Sequence, residues 1–154
     1  MRQRFFDSTK LMTELKKLRS DSRRADVEQL ACKLIEIYDT KAIVSPVEIE
    51  VLAGVRDPHE FELTEVFLEQ FEIIDQRHIP PQDWEQARRI AKRVLRYDRD
   101  VSGRHRKRRR QANPKTELRQ LGDCLITAIA NRLHYEPITD DKGMERQAGR
   151  AALG

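Results

Sequence analysis

An α/β fold, with a mainly parallel sheet covered by helices on both faces, is the class this sequence predicts, and three observations lead to it. Short apolar runs of strand length alternate with longer stretches whose apolar residues recur at helical spacing. Two of the short runs close in acidic, hydroxyl-bearing turns: Phe5, Phe6, Asp7, Ser8, Thr9 near one end of the chain and Pro137, Ile138, Thr139, Asp140, Asp141 near the other. Strands separated by helices need crossover connections, which set the strands parallel and cover the sheet. A chain of 154 residues is long enough to bury one such sheet. The expected organisation is one domain over residues 1–144, with a basic loop insertion at 98–114 and a flexible tail at 145–154.

Taken in order, a first strand ends at Asp7. Leu11, Leu15 and Leu18 then mark an amphipathic helix, polar Ser20 to Arg24 interrupts it, and Val27, Leu30, Ala31, Leu34 and Ile35 mark a second, giving a helical hairpin. Ala42, Ile43 and Val44 read as a buried strand, with Ser45 expected as the N-cap and Pro46 as the first residue of the helix that carries Glu50 towards Gly54. Phe61 to Phe67 continues as helix and Phe71 to Ile74 as a third strand. A turn at Pro80 and Pro81 leads into a helix from Asp83 to about Arg96. Leu118 to Leu133 is the last helix and Pro137 to Thr139 the last clear strand. Trp84, ahead of Ala87 and Ile90, is expected in the core.

Charge is concentrated. Arg104, Arg106, Lys107, Arg108, Arg109 and Arg110 are 6 of the 30 Lys and Arg; the remaining 24 face 26 acids, so the formal net charge of +4 rests on one segment. That run has no apolar face to bury and reads as a solvated loop able to hold phosphate backbones. Mean hydropathy is −0.75. Neither the first ten residues nor the apolar patch at Cys124–Ala130 is long enough for a signal peptide or a membrane span, so a cytoplasmic protein with no membrane association is expected. Cys32 and Cys124 lack metal-ligand spacing and read as small, buried, reduced fillers. His59, His78, His105 and His134 show no ligand spacing either.

The run Phe5 to Leu11, the run Ser45 to Gly54, and the run Leu121 to Ala130 followed by Pro137 to Asp141 resemble, in order and spacing, the motifs of PIN-domain ribonucleases, most closely the VapC-like toxins of type II toxin–antitoxin pairs. The resemblance covers residues 4 to about 144. It implies a three-layer α/β/α PIN-like domain around a central, mainly parallel sheet of four or five strands. It implies that Asp7, Glu50, Asp123 and Asp141 are the catalytic acids holding Mg²⁺ or Mn²⁺, with Ser8, Thr9, Thr139 and Asp140 around them. Glu48 competes with Glu50 and Asp140 with Asp141; the family spacing favours Glu50 and Asp141. An RNA substrate, a cognate antitoxin and a homodimer are the partners it implies. The tail from Glu145 lacks the apolar run of the family's usual last strand, and the basic insertion is longer than in compact members.

The chemistry fits that set. Hard divalent cations take oxygen ligands, and Mg²⁺ uses few carboxylates while keeping waters. Crowded carboxylates repel unless a cation or a proton sits among them. Asp123, expected near the start of its helix, would also meet the positive end of the helix dipole. The expected activity is metal-dependent endoribonuclease action on exposed loops of structured RNA, such as tRNA or rRNA. A non-enzymatic nucleic-acid-binding domain built on the Arg-rich loop and a DNA nuclease of the same fold stand as alternatives.

Overall fold

The computed structural model describes residues 2–101 and 114–139. Their elements run β1 (Gln3–Phe6), α1 (Ser8–Leu15), α2 (Arg24–Tyr38), β2 (Ala42–Ile43), α3 (Ser45–Ala53), α4 (Pro58–Glu69), β3 (Glu72–Ile73), α5 (Pro81–Val101), α6 (Pro114–Leu133) and β4 (Tyr135–Ile138). The class is α/β with parallel strands. Among the described residues the strands form two ladders, β1 with β4 and β2 with β3, each of two strands.

Why these runs are strands is visible in their burial. Consecutive strand residues point to opposite faces; Phe5 and Phe6 are nevertheless both fully buried, as are Ala42 and Ile43. Both faces of these short strands are therefore covered by helices, which is what a parallel arrangement requires. Phe6 meets Tyr38 of α2 and Phe71 edge-on, with ring centroids 5.5 Å and 5.4 Å apart. Phe67 and Phe71 continue the aromatic cluster towards α4. On the other side, Ile126 and Ile129 of α6 join the same core as Leu11, Val47 and Val51.

Register positions the site. In β1 and β4, Phe6 pairs with Ile138, so the next residues, Asp7 and Thr139, stand side by side at the carboxyl ends. The Asp7 amide donates to the Ile138 carbonyl at 3.0 Å. In β2 and β3, Ile43 pairs with Ile73, so Ser45 and Asp75 meet in the same way two residues further on.

Several expectations are corrected. Helices α5 and α6 are longer than the pattern predicts, so Asp123 lies nine residues beyond Pro114, the first residue of α6. The dipole effect is confined to the first turn and does not reach it. Ser45 is the first residue of α3 and not its cap; Val44 holds that position. Leu18 lies past the end of α1. Cys124 is buried as expected, but Cys32 is exposed. Trp84 is 54% exposed and no part of the core. The inward position at the start of α5 belongs to Asp83, 2% exposed, whose two carboxylate oxygens accept from Nε of Arg132 at 2.9 and 3.0 Å. No helix among the described residues is long and apolar enough to cross a membrane.

Candidate active site

Asp7 occupies the N-cap position of α1, where an aspartate ordinarily turns its carboxylate onto the first helical amides. Asp57 does so at the start of α4, accepting from the amides of His59 and Glu60. Asp7 makes no such bond. Its backbone carbonyl accepts from the Leu11 amide, as a cap should, but its side chain is held elsewhere. Oδ2 accepts from the hydroxyl of Thr9 and, at 2.9 Å, from that of Thr139 across the ladder. The two threonine hydroxyls lie 3.2 Å apart.

Oδ1 of Asp7 is buried with no hydrogen-bond partner. The residue is 1% exposed. Leaving a buried acceptor unsatisfied costs about 1–3 kcal/mol, more for a charged group, so a purely structural aspartate would gain nothing from this placement.

Glu50 is brought in from α3. The Ser8 hydroxyl donates to its Oε2, linking the start of α1 to α3. Its Oε1 lies over Gly122 of α6 so closely that a Cβ at that position would stand 2.2 Å from it. Glycine inside a helix is unfavourable, and here it makes room for a carboxylate beside Asp123. Burial pushes the Cys124 thiol up to about 11, and the negative charge of Asp123 adds to the shift. Thr127 donates to the Asp123 carbonyl one turn on.

Glu48, two residues before Glu50, projects from the other side of α3 and pairs with Arg77 at 3.4 Å. Asp140, Asp141 and the basic run Arg104 to Arg110 lie outside the described residues. His59, His78 and His134 are exposed, and His134 adopts a left-handed conformation, φ 61°, in the turn between α6 and β4.

The structure thus joins Asp7, Thr9 and Thr139 through one set of hydrogen bonds and Ser8 with Glu50 through another, and sets Glu50 against the turn of α6 that carries Asp123. Among the described residues no group of three or more His, Cys, Asp or Glu side chains is placed to hold a metal ion. The acids are drawn onto hydroxyls, Thr9 and Thr139 for Asp7 and Ser8 for Glu50.

Sequence reasoning passed over two residues of consequence. One is Gly122, which a glycine inside a helical pattern could have signalled. The other is Asp75, buried at 6% exposure; it accepts from the Ser45 amide at 2.9 Å and from the Ser45 hydroxyl.

No protein-family model matches the chain, and no curated protein or solved structure is significantly similar to it.

Proposed function

We propose that this protein is a metal-dependent endoribonuclease of the PIN-domain, VapC-like toxin type, acting in the cytoplasm as a homodimer on exposed loops of structured RNA and held inactive by a cognate antitoxin. The observation that carries the reading is the buried, unpartnered Oδ1 of Asp7, at the carboxyl end of a parallel strand, where α/β folds bind their ligands. Asp7, Glu50 and Asp123, completed by Asp141, would hold Mg²⁺ or Mn²⁺. The donor set is all oxygen, which suits a hard cation. Such an ion, when bound, polarises the scissile phosphate and lowers the pKa of water.

The chain's own residues orient that chemistry. Thr9 and Thr139 fix Oδ2 of Asp7 and so aim Oδ1. Ser8 steers Glu50, and Gly122 admits it to α6. Arg104 to Arg110 would grip phosphates without reading sequence. The proposed sheet is the three-layer PIN arrangement in the order β4, β1, β2, β3, since the Thr40 hydroxyl, just before β2, donates to the Arg4 carbonyl of β1 at 2.7 Å.

The test is cleavage of RNA and of single-stranded DNA with Mg²⁺ or Mn²⁺ by wild type and Asp7→Asn. RNA should be cut by wild type alone, with RNA binding retained in the variant. Cleavage that persists in Asp7→Asn would remove the acids from the mechanism, and preference for DNA would replace the substrate.

A further inference from the structure

The outer face of α5 carries a pattern that the carboxylate site does not use. Ala87 and Ile90 turn inwards, leaving Arg88, Arg89, Lys92 and Arg93 exposed. Some exposed cations of this chain find acids, as in Arg24 with Glu28, Lys17 with Glu14 and Arg77 with Glu48. Others that find none among the described residues, such as Lys16, Arg19, Lys33 and Arg56, are scattered over separate elements. None of the four on α5 makes an ion pair among the described residues, although Glu85 lies one turn before Arg88 and Arg89. Four positive charges gathered within two turns, unmatched among the described residues, repel one another, a cost that an anionic partner removes. Trp84, 54% exposed, stands one turn before Arg88 on the same face. Trp84, Arg88 and Lys92 follow at i, i+4 and i+8, and Arg89 and Arg93 form a second row beside them.

The height of this face is set by the Asp83–Arg132 bond, which ties the start of α5 to the end of α6. The two helices pack along each other. Nine residues back from Arg132 is Asp123; nine residues forward from Asp83 is Lys92. At equal rise per residue, Lys92 stands level with Asp123 and its neighbour Glu50.

We infer that the exposed face of α5 is a nucleic-acid-binding surface, on which Arg88, Arg89, Lys92 and Arg93 hold the phosphates of single-stranded RNA and Trp84 stacks on a base, leading the strand to the carboxylate site. The inference rests on the ribonuclease reading for its choice of RNA. Arginine and lysine side chains along a track, with an aromatic among them, are the usual elements of a single-strand groove.

Trp84 is the only tryptophan of the chain, so its emission reports on this face alone. The experiment titrates the full-length protein with a labelled single-stranded RNA in EDTA, reading RNA anisotropy and Trp84 fluorescence together. Wild type should bind, with Trp84 quenched over the same concentration range. Changing Arg88, Arg89, Lys92 and Arg93 to Gln should weaken binding about 5-fold per lost contact at 0.1 M salt and flatten the salt dependence by about 0.7 per contact. A control with Lys16, Arg19, Lys33 and Arg56 changed to Gln carries the same loss of charge on other elements and should bind within about 2-fold of wild type. Binding without quenching, or an α5 variant no weaker than that control, overturns the inference and leaves the ribonuclease reading standing. An absence of any RNA binding by wild type overturns the ribonuclease reading itself.

Discussion

At the carboxyl end of the β1 and β4 ladder Asp7 stands beside Thr139, and at the carboxyl end of the β2 and β3 ladder Asp75 stands beside Ser45. Both acids are buried, both stand just past a short strand, and both accept a hydroxyl from the neighbouring strand's end. They differ in what the second oxygen does. Oδ1 of Asp75 takes the amide of Ser45, the first residue of α3, so the carboxylate caps a helix from outside its own chain segment. Oδ1 of Asp7 takes nothing. A strand-end acid is therefore not a functional residue by position; the difference lies in whether the fold spends both of its oxygens.

The largest expected effect breaks the comparison at Asp7. In Asp7→Asn a rise in melting temperature induced by Mn²⁺ should vanish, and cleavage should fall by more than the about 10–100-fold that loss of an outer-sphere partner costs a metal site. Stability without metal should hold or increase, because a buried charge has been removed. Asp75→Ala should do the reverse. Losing an external cap and leaving the Ser45 amide unsatisfied costs about 1–2 kcal/mol of unfolding free energy, while the Mn²⁺ response persists. Thermal melts of both variants with and without Mn²⁺ decide the matter: if Asp75→Ala loses the metal response and Asp7→Asn keeps it, the roles assigned to the two ladder ends are exchanged.

Gly122→Ala sharpens the comparison with a smaller change of opposite sign. Alanine inside a helix is favoured over glycine by about 1 kcal/mol, but its Cβ would stand 2.2 Å from Oε1 of Glu50. The atom displaced is the end of a flexible side chain, so the fold adapts and Glu50 swings away. Metal-free stability should stay level or rise by up to about 1 kcal/mol, with a weakened Mn²⁺ response. A variant whose Mn²⁺ response matches wild type would show that Glu50 does not need this seat.

The strand-end acids were legible because a short apolar run followed by an acid has a local signature. Ile73, Ile74, Asp75 has the same signature, but nothing local gives Asp75 a role; its partner Ser45 lies 30 residues away and only the ladder register brings the two together. The family resemblance ranks Glu50 above Glu48; in the fold the two face different partners, Ser8 for Glu50 and Arg77 for Glu48. The expectation that Asp123 stands near a helix start fails, since α6 begins at Pro114 and leaves it far from the helix end. The apolar neighbours of Trp84 predict a place inside that it does not take. Local hydrophobicity could not register that Arg132, on another helix, gives Asp83 the inward place. Burial of a polar group is decided by its partner, and partners distant in sequence leave no periodic trace.

The smallest effect concerns a third acid, at the other end of the helix that Asp7 begins. Glu14 is partly buried, which alone would raise its pKa, but the ammonium groups of Lys17 and Lys10, at 3.0 and 3.2 Å, together outweigh burial and hold it below the usual glutamate range. A carboxylate whose folded pKa is depressed contributes stability above its unfolded value, near 4.5, and loses it as pH falls through the folded value. Glu14→Gln should therefore be less stable than wild type at pH 7 by about 0.3–0.5 kcal/mol, the worth of a helix-surface pair. The gap should close as pH falls through the folded value. Urea unfolding of both proteins across that range measures it. A gap that stays constant across it would mean that Glu14 contributes through packing of its methylenes, and that charge pairing at this end of α1 adds nothing to compare with the buried carboxylate at its start.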